Sequence, residues 1–251
     1  IHTTATSNIF SFIESTNPLV IAGTYNRIEI IKLLLETSTT GNPYSHIIIG
    51  LLDIAIKYSH KNVLSYLILN QYKAIQCCLQ NKIINIIYRV DNCEDILFYL
   101  FQTKKVTVTL KILNGMISQN YNQVFQYCYN NSYQTYHQLI FHCFESNNSE
   151  ILNFLMSGNR MIVNEKTFSE LLFKSRKEKS KEFIYNLINN HLNRIEKSSS
   201  LIYLCIKGDI DDNTIIQLIK NGYEYTTDDM GIILSETKIR VLETMCKYYK
   251  V

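Results

Sequence analysis

The sequence predicts an all-α protein, an α-solenoid of stacked helix–turn–helix units with a period of 32–33 residues. Three observations point there. The 251-residue chain is 46% hydrophobic and 19% charged, a composition that folds, yet it holds only 8 Gly and 2 Pro. That is too few turn formers for a many-stranded fold and enough for helices joined by short polar turns. Apolar residues recur at helical spacing inside segments that themselves recur. A turn residue, most often Asn or Asp, stands at a constant distance before each such segment.

The first segment is Asn17 to Glu36, "NPLVIAGTYNRIEIIKLLLE". Taking Ile30 as an anchor, the equivalent positions are Val63, Ile96, Ile151, Phe183, Ile215 and Val241, separated by 33, 33, 55, 32, 32 and 26 residues. One residue later stand Ile31, Leu64, Leu97, Leu152, Ile184, Ile216 and Leu242, and four later Leu34, Leu67, Leu100, Leu155, Leu187, Ile219 and Met245. Offsets of 0, +1 and +4 make one stripe of a helix. A shorter helix precedes it. Eleven before the anchors stand Leu19, Leu52, Asn85, Ile140, Leu172, Leu204 and Met230; eight before stand Ala22, Ala55, Tyr88, Cys143, Ser175, Lys207 and Ile233.

The turn position, four before the anchor, reads Asn26, Ser59, Asn92, Asn147, Lys179, Asp211 and Thr237. Asn and Asp tolerate the left-handed conformation that closes a helix. Pro18 and Pro43 fall near the starts of first helices, where a missing N–H costs nothing. On this register a single array covers 1–251, with units near 17–42, 50–75, 84–105, 138–164, 170–195 and 202–226, and a terminal cap over 229–251. The gap of 55 places an irregular or degenerate unit at 106–137.

These residues resemble an ankyrin repeat, whose pattern is roughly T-P-L-H-x-A-A-x-x-G-H-x-x-(V/I)-V-x-L-L-L. Pro18, Leu19, Ala22, Ile30, Ile31, Leu33, Leu34 and Leu35 fall on it in register, and Leu52, Ala55, His60, Val63, Leu64, Leu67 and Ile68 repeat it. Asn17 stands in place of the Thr, Val20 of the His and Asn26 of the turn Gly. Later units keep the apolar stripe and little else. The chain is similar to divergent ankyrin arrays of the kind found in large DNA viruses and host-manipulating intracellular bacteria. A TPR or HEAT solenoid is the other paired-helix reading, but the Trp-Leu-Gly pattern of TPR is missing.

The resemblance implies a non-enzymatic protein-binding module. It is expected to take a host or viral protein on a concave face built from loop tips and the exposed ends of first helices. In register those ends carry Thr24 and Tyr25, then Lys57 and Tyr58; the loops add Tyr44, Tyr72, Arg160, Tyr223 and Tyr225. Tyrosine suits an interface through its large ring and polar tip. The alternative is a virion structural or assembly component that packs against itself or a scaffold. The expected setting is cytoplasmic, the host cytoplasm for a viral chain, or the virion.

Chemistry is not apparent. The chain lacks a G-x-x-x-x-G-K-[ST] loop, G-x-G-x-x-G, a nucleophile elbow and H-E-x-x-H. No cofactor, metal or small-molecule substrate is expected. Cys128, His137, His142 and Cys143 lie close in sequence but lack the tight C-x-x-C knuckles of structural zinc. The seven cysteines read as reduced thiols, mostly buried. A net charge of +3 is too mild for a nucleic-acid binder. The most basic stretch, Lys174 to Glu182, reads as a solvated turn. No apolar run approaches the ~20 residues of a membrane span.

Overall fold

A computed structural model describes residues 17–37, 45–103, 106–131, 138–158, 161–177, 181–236 and 238–248, with the backbone alone at 176 and 177. The described residues are all-helical apart from one isolated bridge between Val163 and Ile195. None of these helices is long and apolar enough to cross a membrane. The chain forms two compact units, Ile1–Ser132 and Tyr133–Val251.

The first unit contains α1 (Pro18–Thr24), α2 (Ile28–Thr37), α3 (Ser45–Lys57), α4 (Lys61–Asn70), α5 (Tyr72–Arg89), α6 (Glu94–Thr103), α7 (Leu110–Ser118) and α8 (Asn122–Asn130). Odd-numbered helices pack on one another in the order α1, α3, α5, α7, and each also packs on a neighbouring even-numbered one. The second unit contains α9 (Leu139–Glu145), α10 (Ser149–Ser157), α11 (Glu165–Lys177), α12 (Glu182–His191), α13 (Leu201–Lys207), α14 (Asp212–Lys220), α15 (Thr227–Ser235) and α16 (Ile239–Tyr248). Here α11, α13 and α15 stack, as do α10, α12, α14 and α16.

The turns inside the pairs show why the chain breaks where it does. Asn26, Ser59, Asn92, Asn120, Asn147 and Asp209 all have positive φ, between 50° and 57°. At five of them the helix closes in one pattern. The N–H of the residue after the left-handed position reaches back to the carbonyl five residues earlier: Arg27 to Ala22, His60 to Ala55, Tyr121 to Met116, Asn148 to Cys143 and Ile210 to Cys205, at 2.8–3.0 Å. The left-handed residue itself donates to Gly23, Ile56, Ile117, Phe144 and Ile206. This double closure satisfies carbonyls the helix end would otherwise leave open. N-caps start several helices: Asn17, Thr109, Asn148, Asp211 and Thr226 each accept a backbone N–H.

The core is the predicted stripe. Val63, Leu64, Leu67, Leu97, Leu100, Ile151, Leu152, Ile184 and Leu187 are buried. Each such side chain contributes about 1.5–3 kcal/mol over exposure. Four positions depart from expectation. Ile30 is 49% exposed, because no described helix packs on that side of α2. Asn85 and Tyr88 face outward because α5 is 18 residues long and one residue is added before its turn, so Ile83, Ile86 and Ile87 face the core instead. In the seventh pair the left-handed residue is Asp209, while Asp211 is the extended N-cap of α14. The buried set is therefore Thr214, Ile215, Leu218 and Ile219, one residue out of the predicted register. The segment 106–137 holds an ordinary pair, α7 and α8, with Val124, Phe125 and Cys128 buried after the turn at Asn120. The turns at Asn92, Asn120 and Asn147 show the 55-residue gap to be two shortened units. Lys179 and Thr237 lie outside the described residues.

Candidate partner-binding surface

Neighbouring pairs are tied edge to edge by residues at or just before the start of several second helices. His60 Nε2 lies 3.0 Å from the Thr24 carbonyl oxygen, and an oxygen that only accepts places the proton on Nε2. Tyr121 donates to the Val90 carbonyl at 3.3 Å. Lys61, the first residue of α4, donates to the Asn92 carbonyl and pairs with Asp95 at 3.0 Å. In the second unit Lys181 pairs with Asp209 at 2.7 Å and Lys238 with Asp212 at 3.3 Å.

This edge positions the tyrosines of the first unit. Tyr25 caps α1 and is 70% exposed; Tyr58 follows α3 and is 46% exposed. The Tyr58 ring stacks on His60 with centroids 5.8 Å apart, and His60 is the residue bonded to the Thr24 carbonyl. The two turns are thus joined through one imidazole. Lys57 Nζ sits 5.0 Å from the Tyr58 ring centroid, within cation–π range. Thr24 is half-buried, its hydroxyl donating to the Val20 carbonyl. Tyr88 on α5 adds a third exposed ring, 50% exposed. Gly115 allows α7 to approach there: a Cβ would meet Ile87 at 3.1 Å and Ile84 at 3.2 Å.

Other predicted contact residues stand elsewhere. Tyr72 begins α5 and is half-buried. Tyr44 and Arg160 lie outside the described residues. Tyr223 is not a loop-tip contact: it is 3% exposed, and its hydroxyl donates to the Leu192 and Ile195 carbonyls at 2.8 and 3.1 Å. Burial pushes its phenol up to about 12. Tyr225 is half-buried and donates to the Met245 carbonyl at 2.5 Å, so its polar tip is already used.

Sequence reasoning missed two sets of aromatics. Tyr66, Tyr99 and Tyr127, three residues after the anchor position on α4, α6 and α8, are all half-buried. Phe98 packs on Tyr127 with centroids 5.1 Å apart. Reading the +3 offset down the register would have found this row. Phe173 and Tyr203, each one residue after a buried residue of α11 and α13, are 73% and 40% exposed.

The residues considered for chemistry are otherwise engaged. Among the described residues no three His, Cys, Asp or Glu side chains are grouped to hold a metal ion. Cys128 and Cys143 are buried, and burial pushes each thiol up to about 12, away from the thiolate that chemistry requires. In the basic stretch, Lys174 lies on α11, pairs with Glu145 and covers the Phe141 ring, and Lys181 is tied to Asp209. In the first unit a cleft of about 540 Å³ has Lys61 paired with Asp95 and Glu94 accepting from the Gln123 and Val124 amides at the start of α8. No protein-family model, curated protein or solved structure matches the chain.

Proposed function

We propose that the chain is a divergent ankyrin-like repeat array acting as a non-enzymatic protein-binding module. The observation that carries this is the exposed tyrosine edge of the first unit. Tyr25 and Tyr58 stand on adjacent turns that His60 couples, with Lys57 beside Tyr58. Exposed aromatic rings on a rigid edge offer large contact area with little side-chain entropy to lose. The ankyrin likeness, with its viral and bacterial members, makes a host protein the first partner to seek.

The test is affinity purification from host extract with the wild-type chain beside a Tyr25→Ala/Tyr58→Ala variant. Partners retained by the wild type and lost by the variant support the reading. Partners that the variant keeps in full refute this surface. A second reading, a structural component that packs on itself, is favoured by the apolar residues exposed on the first and last described pairs. These are Ile30 and Leu33 on α2, and Leu234 and Ile239 on α15 and α16. Light scattering separates the two: a mass rising with concentration, and abolished by Leu33→Asp or Leu234→Asp, belongs to the second.

A further inference from the structure

The second unit contains a cleft of about 620 Å³ beside the C-terminal ends of α12 and α14. Its lining is unusual in chemistry. Five of the residues lining it carry carboxamides, Asn189, Asn190, Asn193, Gln217 and Asn221, beside one charged residue, Lys197, and no Asp or Glu. Asn190 donates to Asn186, and Asn221 donates to the Gln217 carbonyl, which fixes their orientation and leaves their own oxygens available. The side chains of Asn189, Asn193 and Gln217 make no hydrogen bond within the described residues.

The cleft is also preformed. Tyr223 holds the Leu192 and Ile195 carbonyls from below, and Ile195 is buried. The backbone around Ile195 is paired with Val163: the Val163 N–H donates to Arg194 at 2.8 Å and the Glu196 N–H to Val163 at 2.9 Å. Lys197 reaches from the next residue to the Asn221 carbonyl at 3.0 Å and covers the Tyr223 ring at 5.6 Å. A ligand entering it meets side chains held by a pinned backbone, so little ordering is needed on binding.

We propose that this cleft binds an extended polypeptide segment by reading its backbone. A carboxamide carries one acceptor oxygen and an N–H donor group, the same pair that a single residue of an extended strand presents along its edge with its own N–H and C=O, so the two match in a cyclic arrangement whatever the side chain. A strand not paired in a sheet has one such pair open at every second residue along an edge. Other ligand classes fit poorly. A sugar ring calls for an open aromatic face, and the Tyr223 ring is 3% exposed and covered by Lys197. A phosphate calls for several donors of positive charge. Here the one ammonium already serves a carbonyl, and the nearby helix ends are the negative ones. The site is separate from the tyrosine edge of the first unit.

The test uses the full chain, immobilised, against a displayed library of random 12-residue peptides, followed by synthesis of the enriched peptides. Wild type is compared with Asn189→Ala/Gln217→Ala and with Tyr25→Ala/Tyr58→Ala. The expected result is that the amide variant binds the enriched peptides about tenfold more weakly, each lost hydrogen bond being worth a few-fold. The tyrosine variant should bind them as the wild type does. N-methylation at alternate residues of a peptide should abolish binding while methylation between them does not. Circular dichroism unchanged in the amide variant excludes loss of fold. Binding that the amide variant keeps in full, binding indifferent to N-methylation, or no enrichment by the wild type would each overturn the proposal.

Discussion

Tyr223→Phe is the most informative single change in the second unit, because it removes one oxygen and nothing else. That oxygen is buried and faces two carbonyls, those of Leu192 and Ile195, at 2.8 and 3.1 Å. A hydrogen bond of this kind contributes about 0.5–1.5 kcal/mol net, and a buried acceptor left without a donor costs about 1–3 kcal/mol. Ile195 is 4% exposed, so water reaches its carbonyl poorly, and the loss should be about 1–2 kcal/mol. With a urea dependence of roughly 2 kcal/mol per molar, the midpoint of the second unit should fall by about 0.5–1 M. The pinned backbone gives a local readout. Val163 and Glu196 N–H groups, bonded across the Val163–Ile195 bridge, should exchange with solvent faster in the variant.

The same phenol sets a pH window. Its proton affinity is raised, first by burial and then by the nearby Cys205, from an ordinary value of 10 to about 12. A folded-state value above the unfolded one means the contribution is complete below about pH 10 and is lost as pH rises through 12. Wild type should therefore lose stability across that window relative to Tyr223→Phe, which has no such group. A variant within about 0.3 kcal/mol of wild type, with unchanged exchange at Val163 and Glu196, would refute the account of Tyr223 as the post under this loop.

Two further expectations concern the turns and the thiols. Asn147, at φ 50° and exposed, should accept Gly with little change, whereas Asn147→Val should cost about 1–2 kcal/mol or more by thermal unfolding, since a branched side chain strains the left-handed region. In native buffer a thiol reagent should modify Cys77 and Cys246 fast, while Cys93, Cys128, Cys143 and Cys205 stay protected until denaturant is added; fast native labelling of Cys143 would contradict its burial.

Much of this architecture is written locally. The left-handed turn depends on a few neighbouring residues, and Asn26, Ser59, Asn92 and Asn147 adopt it where the register placed it. The stripe at offsets 0, +1 and +4 is likewise a property of one helix, and it is buried from Val63 through Leu187. Asn120 escaped the reading only because its unit is shorter than the period used to search for it.

What the sequence by itself determined is where helices start, stop and turn back, and which stripe of each is apolar, because caps, left-handed turns and helical periodicity act over a few residues. Tertiary structure decided which of those residues meet a neighbour. Ile30 and Val63 share a register position, yet one is 49% exposed and the other buried: α4 packs on both α3 and α5, whereas among the described residues α2 packs chiefly on α1. Tyr25, at the end of a first helix, and Tyr223, in a loop, both read from the sequence as exposed contact residues. One is 70% exposed and the other lies beneath a loop, because the 192–195 backbone crosses α14's end and, among the described residues, nothing covers Tyr25 in the same way. The amide cleft arises the same way: Asn189 and Gln217 are distant in sequence and share a wall only when α12 packs on α14.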